Sequence, residues 1–220
     1  MKQIIKDKQR VADHGEVFTS QREVNAMLDL VKQETQRIDS KFLEPACGNG
    51  NFLVEILNRK LEIIIGTYKA SQMEFERYSI IAMGSMYGVD ILQDNVEECR
   101  ARLLDIFKKQ YIAIYKDKHK QQCIDTVAYI LSKNILWGDA LSLKTVYGNK
   151  DPIRFSEWTA INATMIKRRD YSLANLLDYQ PMTEQNSHMT LFGDTGEQAL
   201  IPPVLQEYPA THFLELSTHG

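Results

Sequence analysis

The chain reads as an α/β domain with a mostly parallel sheet flanked by helices. Three observations predict it: short apolar stretches alternate with helical periodicities, each stretch ends in a glycine or an acid, and a glycine-rich turn joins the first of them to a helix. In such sheets ligands sit beyond the carboxyl ends of the strands, at the point where the strand order reverses, so three loops are expected to converge there.

The elements follow in order. Residues 7–20 are polar, and Ser20-Gln21-Arg22-Glu23 places a hydroxyl cap three positions before a glutamate, a capping box that opens a helix to about Arg37. Val24, Met27, Leu28 and Val31 recur at helical spacing and predict its inward face. Lys41 to Pro45 reads as a short buried strand stopped by proline, Ala46 to Gly50 as a tight turn, and Phe52, Leu53, Ile56 and Leu57 as the face of the next helix. A further helical stretch covers 61–83, Ser85 to Ile91 is a second strand ending in an acid, and a long helix spans Gln93 to about Lys109. Asn134 to Trp137 is a third strand, leading into Gly138-Asp139-Ala140. After Tyr171 the periodicity fades among prolines and glycines. The expected division is an amino-terminal helical segment at 1–40, the α/β domain at 41–169 and an acidic, loop-rich tail at 170–220.

Composition narrows the chemistry. With 220 residues and 44% hydrophobic positions the chain can bury a core, and its longest apolar runs fall far short of the roughly 20 residues of a membrane span. The Lys-rich start lacks a signal-peptide apolar stretch, so a cytoplasmic location is expected. Cys47, Cys99 and Cys123 form no CxxC pair, and the five histidines show no paired spacing, so neither a disulfide framework nor a metal site is expected. Seven acids and no lysine or arginine follow Arg169, so the net charge of −3 divides into +4 before and −7 after that residue. The basic run from Arg100 to Lys120 reads as a solvated helix face, and Trp158, Lys167, Arg168, Arg169 and Tyr171 as a surface turn around a buried tryptophan.

The three loops carry the functional signal. Gly48 and Gly50 let the main chain turn sharply and approach a ligand, but the segment is not GxGxxG and no GxxxxGK[ST] loop exists, which disfavours pyrophosphate. Glu44, before the turn, suits an ammonium group or amide donors. Asp90 at the end of the second strand can accept both hydroxyls of a ribose, and Asp139 after the third can accept an exocyclic adenine amine.

The succession of Gly15-Glu16-Val17-Phe18-Thr19-Ser20, then Phe42 to Phe52 with its Glu44-Pro45-Ala46-Cys47-Gly48-Asn49-Gly50 core, then Gly88-Val89-Asp90-Ile91, then Asn134 to Leu141 resembles S-adenosylmethionine-dependent adenine-N6 DNA methyltransferases of restriction-modification systems. The likeness spans roughly residues 14–141. It implies a Rossmann-like methyltransferase domain that binds S-adenosyl-L-methionine. Phe18 and Thr19 would border the methionine end, Glu44 to Gly50 would wrap its amino-acid portion, and Asp90 and Asp139 would hold ribose and adenine, with Ile91 and Ala140 beside them. DNA is the implied partner.

The family's Asn/Asp/Ser-Pro-Pro-aromatic motif, which accepts the amine hydrogens and stacks on a flipped-out base, is not found. Pro202-Pro203 lies between Ile201 and Val204, and Asp151-Pro152-Ile153-Arg154-Phe155 lacks the second proline and has its aromatic one position late. No catalytic residue is assigned. The expectation is an adenine-N6 methyltransferase domain that is inactive, completed by a partner subunit, or served by an altered catalytic loop between Asp151 and Asp170. By the same resemblance, a chain of this length is expected to lack the separate target-recognition domain that such enzymes normally carry. The alternatives are a non-enzymatic interaction module, its acidic tail covering a basic cleft or imitating DNA, and methylation of RNA or protein.

Overall fold

The computed structural model describes residues 19–177 and 203–218. The capping box forms at Ser20, whose hydroxyl accepts the Glu23 N–H at 3.4 Å while the Glu23 carboxylate accepts the Ser20 N–H at 3.1 Å. It opens α1 (Gln21–Leu30), which ends at Val31 instead of Arg37, and a four-residue α2 (Lys32–Thr35) follows. The Val31 N–H turns back onto the Leu28 carbonyl, and this break leaves Met27 and Val31 54% and 44% exposed, so only Val24 and Leu28 of the expected face are buried.

All three anticipated strands are present: β1 (Phe42–Glu44), β2 (Met86–Asp90) and β3 (Ile135–Asp139). Two helices, α3 (Asn51–Tyr68) and α4 (Gln72–Gly84), connect the first two strands, and α5 (Gln93–Tyr115), a 3-10 turn at Lys116–Lys118 and α6 (Gln121–Asn134) connect the second to the third. Helix α5 outruns its expected end at Lys109 because Tyr111, fully buried, stacks on Phe75 and Phe107 with centroids 5.8 and 5.4 Å away. The sheet order is β1-β2-β3-β4, with β1 and β3 each parallel to β2 and the two-residue β4 (Lys144–Thr145) antiparallel to β3. The protein is therefore α/β with a mixed four-stranded sheet. Alternation along β2 divides the core: Met86 joins the helices, while Tyr87 and Val89 pack on Ile153, Phe155 and Leu173 across the other face.

The region after Asp151 differs most from expectation. Arg154–Ala160 (β5) and Met165–Ser172 (β6) form an antiparallel hairpin, and tail residues Gln206–Glu207 (β7) and Thr211–His212 (β8) both pair with β6. The boundary drawn between residues 169 and 170 thus falls inside β6, which continues into a short α7 (Leu173–Leu177). Trp158 and Arg168 sit in this hairpin, not in a surface turn, and are 7% exposed. Arg168 forks onto Asp170 at 2.8 and 2.9 Å and lies between the rings of Tyr129, Trp158 and Tyr208. Among the described residues no helix is long and apolar enough to cross a membrane.

Candidate functional site

The turn between β1 and α3 is built on two left-handed glycines. Gly48 has φ 52° and Gly50 φ 88°, a region costly for residues with a β-carbon. Space imposes the same choice at Gly50, where a Cβ would lie 2.5 Å from the Cys99 sulfur. Hydrogen bonds then fix the path: the Cys47 N–H donates to Val89 O at 2.9 Å, and the Gly50 N–H to Cys47 O at 2.8 Å. Gly50 is the N-cap of α3, and no side chain caps that helix. Its first N–H groups point out of the turn with a partial positive charge.

The second strand closes on this turn directly. The Gly48 N–H donates to Asp90 Oδ2 at 2.8 Å, while Oδ1 accepts the Leu92 N–H at 2.9 Å and the Asn95 amide at 3.3 Å. Asp90 is 8% exposed. Three donors thus converge on this carboxylate, which leaves about one of its roughly four acceptor sites open. In register, Glu44 lies opposite Gly88 and Asp90 opposite Trp137, so the ends of β1, β2 and β3 open at one edge of the sheet.

Asp139 closes that edge on the third strand. Its Oδ1 accepts the Leu141 N–H at 2.9 Å, and the Ser142 hydroxyl and this N–H hold its carboxyl below the usual carboxylate range. Trp137 donates from Nε1 to Ile91 O at 2.9 Å and stacks on Tyr147 with centroids 5.2 Å apart, which ties the loops after β2 and β3 together. Ile91 is 47% exposed beside them, whereas Ala140 is partly buried against the apolar cluster of Tyr87, Val89, Ile153, Phe155 and Leu173.

Of the remaining expected residues, Pro45 and Ala46 are exposed and Glu44 is partly buried, burial pushing its carboxyl up against the opposing Ala46 N–H. Cys47 faces inward at 6% exposure, and hydrogen bonding to Cys99 together with burial pushes its thiol far above the ordinary range, so it is no nucleophile. Thr19 accepts from the Asn51 side-chain amide at 3.1 Å through its carbonyl, while Phe18 lies outside the described residues. Gly48 and Asp90 therefore touch, Asp139 shares their edge, and Thr19 borders the turn.

Sequence reading missed the residues that grip the loop from α5. Glu98 accepts the Asn49 amide at 3.0 Å, and Arg102 donates to Asn49 O at 2.6 Å and to Asn51 Oδ1 at 3.0 Å. The basic run containing Arg102 is only partly a solvated face. Arg100 donates to Ile135 O, Lys109 pairs with Asp105 and Lys120 with Glu76, while Lys108, Lys116 and Lys118 are exposed.

The near-match to a catalytic motif is core. Ile153 and Phe155 are 0% and 2% exposed, and Phe155 meets the Tyr87 ring edge-on at 5.2 Å, so it cannot stack on a base. The altered catalytic loop expected between Asp151 and Asp170 is the β5–β6 hairpin. Of the proline pair, Pro202 lies outside the described residues and Pro203 is exposed. Among the described residues no three His, Cys, Asp or Glu side chains are grouped so as to hold a metal ion. No family model, curated protein or solved structure matches the chain.

Proposed function

We propose that this chain is the S-adenosyl-L-methionine-binding, Rossmann-like domain of an adenine-N6 DNA methyltransferase of a restriction-modification system, completed by a partner subunit. The observation that carries the reading is the bond from Gly48 to Asp90, which joins the glycine turn and the strand-end acid in one corner, with Asp139 at the end of the neighbouring strand. In this reading Glu44 accepts the ammonium group of the cofactor, Asp90 a ribose hydroxyl and Asp139 the adenine amine, with Ile91 against the adenine. Bound there, the cofactor would supply a sulfonium methyl for direct attack by the exocyclic nitrogen of a flipped-out base, which would give up a proton as S-adenosylhomocysteine leaves.

Dependence on a partner rests on the sheet. Ligand crevices in open parallel sheets form where the strand order reverses, yet β2, β3 and β4 all lie to one side of β1 among the described residues. A strand on the free edge of β1 would create the reversal, and its loop would face the turn at Gly48. The acceptor for the amine hydrogens belongs there in this reading, because the near-match to the catalytic motif packs Ile153 and Phe155 into the core.

A second reading, an interaction module that keeps the fold without catalysis, draws on one contact. Glu207 of the acidic tail bridges Lys167 and Arg169 on β6, so part of the tail covers basic side chains. Incubation with methyl-labelled cofactor and mixed-sequence DNA, alone and with the product of the neighbouring gene, tests the first reading. Label in adenine only with the partner supports it. Cofactor-independent DNA binding that strengthens in Glu207→Gln, with no transfer under either condition, favours the second.

A further inference from the structure

We propose that Arg102 and Asn51 are positioning residues of the candidate cofactor site, which strap the amino-terminal segment to the glycine turn through the Thr19 carbonyl. The inference rests on the cofactor reading above only for its effect on affinity; the strap itself stands on geometry. Asn49 lies between the two left-handed glycines, and α5 holds it from two positions one turn apart: Glu98 takes its side-chain amide and Arg102 donates to its carbonyl. The same Arg102 nitrogen reaches Asn51 Oδ1 at 3.0 Å.

That contact decides which way the Asn51 amide faces. A guanidinium only donates, so the oxygen must face it, and the NH2 group is left pointing at the Thr19 carbonyl, 3.1 Å away. Thr19 directly precedes the Ser20 cap of α1, so the bond fixes where that helix enters beside the turn. Arg102 is on a different element from every residue assigned to the ligand. It acts through Asn49 and Asn51.

The test separates the two links. Asn51→Asp keeps an acceptor for Arg102 and adds a charge favourable at the start of α3, but it sets an oxygen against the Thr19 carbonyl, so only the strap breaks. Amide hydrogen exchange around Thr19 to Gln21, without ligand, is expected to accelerate at least tenfold in Asn51→Asp and in Arg102→Ala, with Arg102→Lys in between, while the melting temperature of Asn51→Asp stays at or above that of the parent. Calorimetric titration with S-adenosylhomocysteine is expected to show affinity falling several-fold in Arg102→Ala, with partial recovery in Arg102→Lys. Unchanged exchange in Asn51→Asp overturns the strap. Faster exchange with unchanged affinity overturns the positioning role. An unaltered protein that binds no cofactor overturns the cofactor reading and the affinity claim with it, and leaves the exchange result to decide the strap alone.

Discussion

The backbone N–H of Gly48 and the carboxylate of Asp90, 42 positions apart in sequence, meet at 2.8 Å, and this bond makes a single corner of the turn after β1 and the end of β2. A left-handed glycine presents the donor, and a strand end with 8% exposure holds the acceptor. Two further donors, Leu92 N–H and Asn95, converge on the same carboxylate.

Asp90→Asn therefore sets an NH2 group against at least one of these donors. Charge-assisted bonds of this kind are worth about 2–3 kcal/mol, so the melting temperature should fall by roughly 5–10 °C, measured by differential scanning calorimetry. An unchanged melting temperature would mean that the carboxylate does not organise the turn.

Gly50→Ala should cost about 2 kcal/mol or more, because its Cβ would sit 2.5 Å from Cys99 Sγ at a φ of +88°. Adding Cys99→Ala removes the clashing sulfur and should recover part of the loss, leaving the backbone strain. Urea unfolding of the four proteins in this cycle gives the interaction energy, and strict additivity would argue against the contact.

Lys60 supplies a pH signature. Its ammonium, fully buried, donates to Ile38 O at 2.9 Å, Ser40 O at 2.6 Å and Ser85 Oγ at 2.5 Å, and burial brings its pKa down to about 7 against the opposing pull of Asp39. In the unfolded chain the same amine holds its proton to about pH 10. Between these values the unfolded state binds more protons, so stability should climb as pH rises from 7 to 8.5, by at most about 1.4 kcal/mol per pH unit, and be flat in this contribution below about pH 6. Lys60→Met should remove that climb in pH-dependent urea unfolding. A wild-type slope identical to that of the variant would contradict the buried amine.

Arg168→Ala should destabilise the protein by about 3–5 kcal/mol, because it leaves the Asp170 carboxylate buried without its partner. DNA affinity at a temperature where the variant is folded should not change. Lost affinity with intact stability would restore the sequence-based view of this cluster as an exposed cationic surface.

These cases mark where the sequence was legible. The capping box at Ser20, the proline-stopped β1, the glycine turn and the strand-end acids are local signals, each with a steric or hydrogen-bonding cause contained in a few residues. The hairpin was hidden because Lys167, Arg168, Arg169 and Asp170 look solvated in a row. In β6 they alternate between faces, and the inward pair Arg168 and Asp170 neutralise one another on tail and helix partners that are distant in sequence. Arg102 was illegible for the same reason. Nothing in a basic helical stretch announces that one of its cations reaches Asn49 O, 53 positions earlier.

Calorimetric titration of the full chain with S-adenosyl-L-methionine tests the central claim most directly. One saturable site per chain is expected, abolished in Asp90→Ala and weakened in Asp139→Ala, with about 2.7 kcal/mol of added stability at a hundred times the dissociation constant. Absence of binding heat and of any melting shift at millimolar ligand would contradict it.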